Sequence, residues 1–268
     1  MGLADAGDAM RAYINVRAEP VYRRAAIVSG LQRVGFTIVD KPFVPEGPRD
    51  FLVSWNRKNG ADEHLCEAFE RRGGTVLVLE NGYLQKVDKT YYAISVHQHN
   101  GAGWWPSGDE DRFGKLGFEV KPWRTDGREI CIRLQRGIGS RLMASPMTWP
   151  RTIAKRVSAA FPGKPLRVIP HPGNFKPKVE PGKDLADASA LVIWCSAMGV
   201  RALVEGVPVF YDAPHWVCAS AGARLGQPAN VDGAARAHAL HRMSWNQWHH
   251  EEIAAGEPFA RILEGHKC

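Results

Sequence analysis

At 268 residues, 44% of them hydrophobic and 24% charged, the chain has apolar content for one large core or two small ones, which argues against wholesale disorder. It contains no run approaching the roughly 20 apolar residues of a membrane-spanning helix. Its Ala/Gly/Asp-rich opening lacks the basic start of a secretory signal, so a cytoplasmic protein without a membrane span is expected. The net charge of +7 is unevenly held: residues 1–126 carry 17 Lys+Arg against 17 Asp+Glu, and residues 127–268 carry 18 against 11.

In chain order, residues 21–34 read as a helix and 36–39 as a strand, followed by a Pro/Gly-rich loop over 41–48. The apolar run 51–55 reads as a buried strand. Residues 61–72 then form a helix closed by Gly73-Gly74, and 75–79 a strand suited to a buried parallel position. Residues 91–96 read as one more strand, before a long irregular loop over 100–122. The alternation restarts with a strand at 130–134, a glycine turn at 136–140, a helix at 150–161 and a strand at 166–169. A short helix at 185–189, a strand at 191–195, a helix at 199–205 and a strand at 207–211 follow, and residues 234–263 read as two helices broken near Gly256. Such alternation specifies parallel sheets with helices on both faces, whose ligands bind at the carboxyl ends of the strands. The expected organisation is α/β with two Rossmann-like halves facing across a cleft: residues 1–126, and residues 127–268 including the terminal helices.

Three features fall at strand ends of the second half. Gln135-Arg136-Gly137-Ile138-Gly139-Ser140 follows its first strand, and the glycines let backbone N–H groups turn toward an anion, although a plain tight turn has the same composition. It lacks the P-loop lysine and the full dinucleotide-binding glycine pattern. His171-Pro172, after the strand at 166–169, holds an imidazole rigidly where it can donate to a phosphate. Ser196 falls at the N-cap of the helix after 191–195, where N–H groups and the helix dipole favour phosphate. Glu205, near that helix's end, is a candidate for ribose hydroxyls or an ordinary surface glutamate. Between 128 and 183 there are 12 basic and two acidic residues, which fits a phosphate-bearing ligand or a solvated basic surface.

The succession of a strand followed by His-Pro, an Asp/Ala-rich helix, an apolar strand, Ser196-x-x-Gly199, and Ala202-Leu203-x-x-Gly206-x-Pro208-Val209 resembles the second domain of GT-B glycosyltransferases. It is most similar to the capsule polysaccharide biosynthesis and export family, and more distantly to CDP-glycerol polymer transferases. Glu80-Asn81-Gly82-Tyr83-Leu84 resembles a strand-end segment of that family, and the ending, from Trp245-Asn246-Gln247-Trp248 through residue 256, resembles phage and prophage relatives. The resemblance covers roughly residues 75–263 and rests on order and spacing.

It implies a nucleotide-sugar donor, as co-substrate and not as a bound cofactor, held by Arg136, Gly137, Gly139, Ser140, His171, Pro172, Ser196, Ala197, Gly199 and Glu205. Where the family often has two small polar residues, this chain has Ser196-Ala197. Where a basic residue often precedes His-Pro, it has Pro170, leaving Arg167 or Lys176 to supply that charge. Negative charge building on the leaving phosphate is stabilised by fixed cations and helix N-termini, so no metal is expected. The acceptor hydroxyl, on a glycan or other molecule, needs a general base from the neutral half: Glu80 first, then His97 and His99. A zinc role for His97-Gln98-His99 finds no partner at convincing spacing. Trp104-Trp105 suits stacking on a sugar or base, or a hydrophobic clamp. His249-His250 reads as a surface pair on a solvated helix, and the five cysteines, odd in number and without a CxxC pair, as buried thiols.

Rival readings are a phage DNA glycosyltransferase acting on a hydroxymethylated base, a non-catalytic polysaccharide-binding or export accessory protein, and a nucleotide-sugar epimerase. A DNA acceptor would be served by overall basicity, but the acceptor half is electrically neutral.

Overall fold

The computed structural model describes residues 10–85, 90–171 and 183–266. The chain forms two compact units, each with its own sheet. The first unit takes the described residues up to His99, then Gly103–Ser107 and the stretch from Asn246 onward. Its strands β1 (Arg11–Asn15), β2 (Thr37–Val39), β3 (Phe51–Trp55) and β4 (Thr75–Asn81) run parallel in the order β4-β3-β1-β2. Strand β5 (Tyr91–Val96) adds antiparallel to β4, so this sheet is mixed where an all-parallel one was expected. Helices α1 (Arg24–Arg33) and α2 (Ala61–Glu70) make the β1–β2 and β3–β4 crossovers. Phe51 to Ser54 and Thr75 to Leu79 are all buried, as strands covered on both faces require. Asp62 and Glu63 in the first turn of α2 complement its dipole, and Gly73, at φ +84°, carries the chain out beyond its end. Leu52, Cys66, Phe69, Val76 and Val78 form the core between α2 and the sheet.

The second unit comprises Asn100–Ala102 and Gly108–Trp245. The long loop contains a single turn of helix, α3 (Arg112–Lys115), capped by Asp111. Beyond it, β6 (Glu129–Arg133), α4 (Trp149–Ala160), β7 (Leu166–Ile169), β8 (Ala188–Ile193), α5 (Ala197–Val204) and β9 (Val209–Tyr211) build an all-parallel sheet in the order β7-β6-β8-β9. Residues 188 and 189, expected in a short helix, already belong to β8, and only a 3-10 turn at Lys183–Leu185 precedes it. Ile130, Ile132, Trp149, Ile153, Val157, Val192 and Phe210 form the core under α4. Both sheets repeat one strand order, so each has a point where successive connections diverge: between β1 and β3, and between β6 and β8.

Helix α6 (Gly233–Ser244) closes the second unit. The remainder of the tail, expected with the donor half, joins the first. Strand β10 (Gln247–His249) pairs antiparallel with β5, and α7 (His250–Ala255) packs on α1, followed by α8 (Glu257–Gly265). The division therefore falls near residues 100–108 and again at 245–246, not at 126–127. The physical reason is the β10–β5 ladder and the side chains that lock it: Gln247 is fully buried, its side-chain oxygen accepts from the N–H groups of Tyr83 (2.9 Å) and Leu84 (3.0 Å), and Asn246 donates to Ser95 Oγ (2.8 Å). His249 is no solvated helical residue: it ends β10 and caps α7, whose Glu252 completes a capping box.

Candidate active site

The β6/β8 divergence is laced together by side chains at its carboxyl edge. Gln135, just past β6, accepts from the N–H of Cys195 at 2.7 Å, and Asn100 donates to the carbonyl of the same residue. Asn100, at φ +56°, was not singled out by the sequence, where its only local mark is a place ahead of Gly101. With Cys195 held from both sides, Ser196 takes an extended N-cap conformation and its Oγ accepts from Met198 N at 3.2 Å, opening α5 toward the strand ends. Ala197 is exposed at that mouth, while Cys195 is buried.

On the other side of the divergence, Gly137 (φ +66°) and Gly139 (φ +137°) occupy backbone that L side chains rarely adopt, so the turn needs glycine at both positions. A Cβ on Gly137 would stand 2.9 Å from the Ser145 carbonyl oxygen. Arg136 between them and the strand is exposed. His171 is exposed beyond β7; burial of part of the ring, then the charges of Arg136 and Arg133, hold its imidazole below the usual range. Three cationic or protonatable side chains thus gather where β6 and β7 end, next to the open N-terminus of α5. Such an edge is suited to a phosphate.

Other expected donor contacts lie elsewhere. Ser140 is fully buried, and its carbonyl accepts from Met143 and Ala144, so it serves the loop and not an external anion. Gly199 is buried within α5: a Cβ there would meet Ile193 Cδ1 and Trp216 Cζ2 at 2.6 Å each, which makes it the residue that lets helix and strand approach. Glu205 stands at the far end of α5, about 13.5 Å from Ser196 by the helix rise. Its carboxylate pairs with Lys121 (2.5 Å) and Arg201 (2.8 Å); burial raises its carboxyl but these partners hold it below the usual range. The ribose role does not fit that position. Arg167 is committed to Glu129 and the Asp184 carbonyl, so it does not replace the missing basic residue before His171. Pro172 and Lys176 lie outside the described residues.

In the first unit, Glu80 lies near the carboxyl end of β4, half-buried, with Oε1 accepting from the Asn81 backbone (3.0 Å) and amide (3.2 Å). His97 follows β5, whose antiparallel course takes it away from Glu80: Glu80 is level with Ala93, four residues earlier, or about 13 Å along the strand. His97 is bound to Glu70 (Nδ1 to Oε1, 2.9 Å) and sits at φ +68°. Glu70 is in turn gripped by the buried Arg57 through two bonds of 2.6 and 2.7 Å. His99 is 4% exposed, and burial, helped by the Arg57 charge, pushes its imidazole down to about 4. The three candidate bases therefore do not converge; His99 is sealed in neutral form, and His97 belongs to a structural ion-pair cluster. Sequence reading also passed over Asn15 and Asp62 (Nδ2 to Oδ1, 3.0 Å), which join the ends of β1 and α2 at this sheet's own divergence. An Asp in the first turn of a helix reads as a dipole partner, so nothing local separates the two roles. Trp104 packs at the end of α8, 5.3 Å from the His266 ring, as a clamp within the unit. Among the described residues no group of three or more His, Cys, Asp or Glu is placed to hold a metal ion, and Cys66, Cys131, Cys195 and Cys218 are buried and not joined in disulfides.

No protein-family model and no curated protein sequence matches the chain. Solved structures do. The structure titled Thermosulfurimonas dismutans KpsC, beta Kdo 2,4 transferase, aligns with a TM-score of 0.53 and 15% identity over 90% of this chain and 92% of that one. The structure titled KpsC, beta Kdo 2,7 transferase, from the same organism, aligns at 0.52 and 12% over 94% and 99%. At these identities what is shared is the fold, a mixed α/β arrangement with two sheets, as the alternation of elements led us to expect. No helix among the described residues is long and apolar enough to cross a membrane.

Proposed function

We propose that this chain is a glycosyltransferase that moves a sugar from a nucleotide-activated donor to a hydroxyl of a glycan or polysaccharide. The observation that carries the reading is the carboxyl edge of β6, β7 and β8, where the glycine turn, Arg136, His171 and the Ser196-capped start of α5 gather on one sheet divergence. The fold likeness to two proteins titled as Kdo transferases supports the reaction class and makes a Kdo-type donor the first to test.

As the sugar departs, charge builds on the leaving phosphate. Arg136, protonated His171 and the positive dipole end of α5 neutralise it, each fixed donor contributing on the order of 3 kcal/mol to the transition state. Lowering of the His171 pKa by partial burial, and then by two arginines, fits a residue that takes up its proton as the phosphate arrives. The acceptor hydroxyl must lose its proton to a general base. Glu80 is our assignment, because it combines a strand-end position with partial exposure; Asp62 is the control, since it too stands at a helix-and-strand edge.

The test is calorimetric titration with CMP, UDP and GDP and their sugars, followed by a transfer assay. His171→Ala should weaken nucleotide binding about ten-fold, the scale of one charged hydrogen bond. Glu80→Gln should lower turnover at least a hundred-fold with little change in nucleotide affinity, and Asp62→Asn should do less. A folded protein that binds none of these nucleotides would sink the reading. Nucleotide binding without transfer to any glycan would point to a non-catalytic binding protein.

A further inference from the structure

The loop between β6 and α4 carries a second feature, separate from its glycine turn. Residues 134–165 include six Lys or Arg and no Asp or Glu. The loop is pinned: Ser140 O accepts from Met143 N (3.0 Å) and Ala144 N (2.8 Å), and Met143 is 1% exposed with its carbonyl bonded to Trp194 Nε1 at 2.8 Å. Despite this anchoring, Met147 is 81% exposed, Ile138 42% and Leu142 41%. Met147 Sδ lies 3.6 Å from where a Cβ of Gly137 would stand, which sets it beside the turn that carries Ile138. Arg141 is exposed on the same loop, and Arg151 and Lys155 are exposed one turn apart in the α4 helix that directly follows it. Arg156 is not among them, being committed to Asp212.

A well-anchored loop has no need to hold a methionine and a leucine in water. Met147 held against the turn that carries Ile138, with Leu142 exposed on the same loop, marks a surface that another phase covers. With basic side chains around them and no acidic ones on the segment, the complementary surface is an anionic bilayer: aliphatic tips reach the acyl boundary while arginine and lysine meet the headgroups. Single-stranded nucleic acid would use the charge but would be gripped by stacking aromatics, which the exposed tips lack. We infer that this loop and the opening turns of α4 dock the chain peripherally on anionic lipid. The docking loop adjoins the proposed phosphate edge through Ile138, but Leu142, Met147, Arg151 and Lys155 are not among the residues of that edge, so substituting them tests docking apart from the donor reading.

Sedimentation with vesicles of phosphatidylcholine, with and without phosphatidylglycerol, tests it on the full chain. Retention is expected only with phosphatidylglycerol and should be released by salt. Arg151→Gln with Lys155→Gln should lower partitioning roughly 25-fold, at about five-fold per basic side chain. Leu142→Ser with Met147→Ser should lower it at least ten-fold. Unchanged melting temperatures and unchanged nucleotide binding identify these as surface effects. No retention on phosphatidylglycerol vesicles would overturn the inference. So would binding that falls with the basic pair and ignores the apolar pair, because charge alone would then explain it.

Discussion

His171 gains a proton with difficulty in the free protein, since partial burial and then Arg136 and Arg133 disfavour its charged form. A phosphate placed against it reverses that balance, so nucleotide binding should draw a proton onto the ring. Affinity for CMP should therefore rise several-fold between about pH 7.5 and about pH 6, and His171→Gln should flatten the slope. Calorimetry in two buffers of different ionisation enthalpy counts the proton directly; equal uptake in the variant would assign it to another group. Glu70 obeys the opposite sign. Burial raises its carboxyl, but the His97 hydrogen bond and the two bonds and charge of Arg57 lower it further than burial lifts it. Its stabilisation is thus present above the unfolded pKa near 4.3 and lost as pH falls through the lower folded value. Glu70→Gln leaves Arg57 buried without its counter-charge and should cost about 3 kcal/mol at pH 7. In urea unfolding, that gap should shrink below about pH 4; a gap constant with pH would show that charge is not what Glu70 contributes.

At the level of elements, α1 and α7 approach so closely that only glycine fits between them. A Cβ on Gly30 would stand 1.9 Å from the Ile253 carbonyl oxygen, and one on Gly256 would be 2.9 Å from the Gly30 carbonyl. Backbone atoms cannot swing aside as a side-chain end can. Gly30→Ala should gain up to about 1 kcal/mol of helix propensity and lose more, a net cost of roughly 2 kcal/mol, by forcing α7 off α1. Hydrogen exchange should show the loss concentrated in α7 and α8, and uniform loosening of the first unit would contradict it. The same contact explains what the sequence concealed. Strands β3 and β4 were legible because unbroken apolar runs between glycine signals have few other uses. Strand β10 is Gln-Trp-His, three residues and too short to show a period; its pairing with β5 is set by partners more than 150 residues away. Strand β1 begins among residues that read as a polar opening, and its partner Asp50, which binds the Arg11 side chain, lies 39 residues on. Likewise the glycine turn, His171 and Ser196 were readable from their places after strands. Glu205 misled because distance along a helix becomes distance in space: nine residues after Ser196 is the wrong end of α5.

For the molecule as a whole, the return of the tail makes the first unit depend on residues that follow the second in sequence. Trp248, Phe259 and Ile262 are fully buried, and Gln247 satisfies two backbone N–H groups after β4. Ending the chain at Trp245 would bare the β5 edge, the glycine-lined face of α1 and those two N–H groups at once. Loss of one buried aromatic alone costs about 3–5 kcal/mol, comparable with the stability of a typical domain. The truncated chain should therefore keep a cooperative transition for its second unit, followed by the fluorescence of Trp149 and Trp194, while losing that of the first. A fragment of residues 1–126, the division suggested by the alternation of elements and the charge split, should fail to fold by circular dichroism. Adding the 127–268 fragment, which carries β10, α7 and α8, should restore its structure, as a strand supplied in trans restores an open sheet edge. Independent folding of the 1–126 fragment would show that the tail is an accessory to the first unit. Failure with rescue would establish that residues 1–126 are not a domain by themselves, and that a sugar-transfer assay on that fragment alone tests only an incomplete fold.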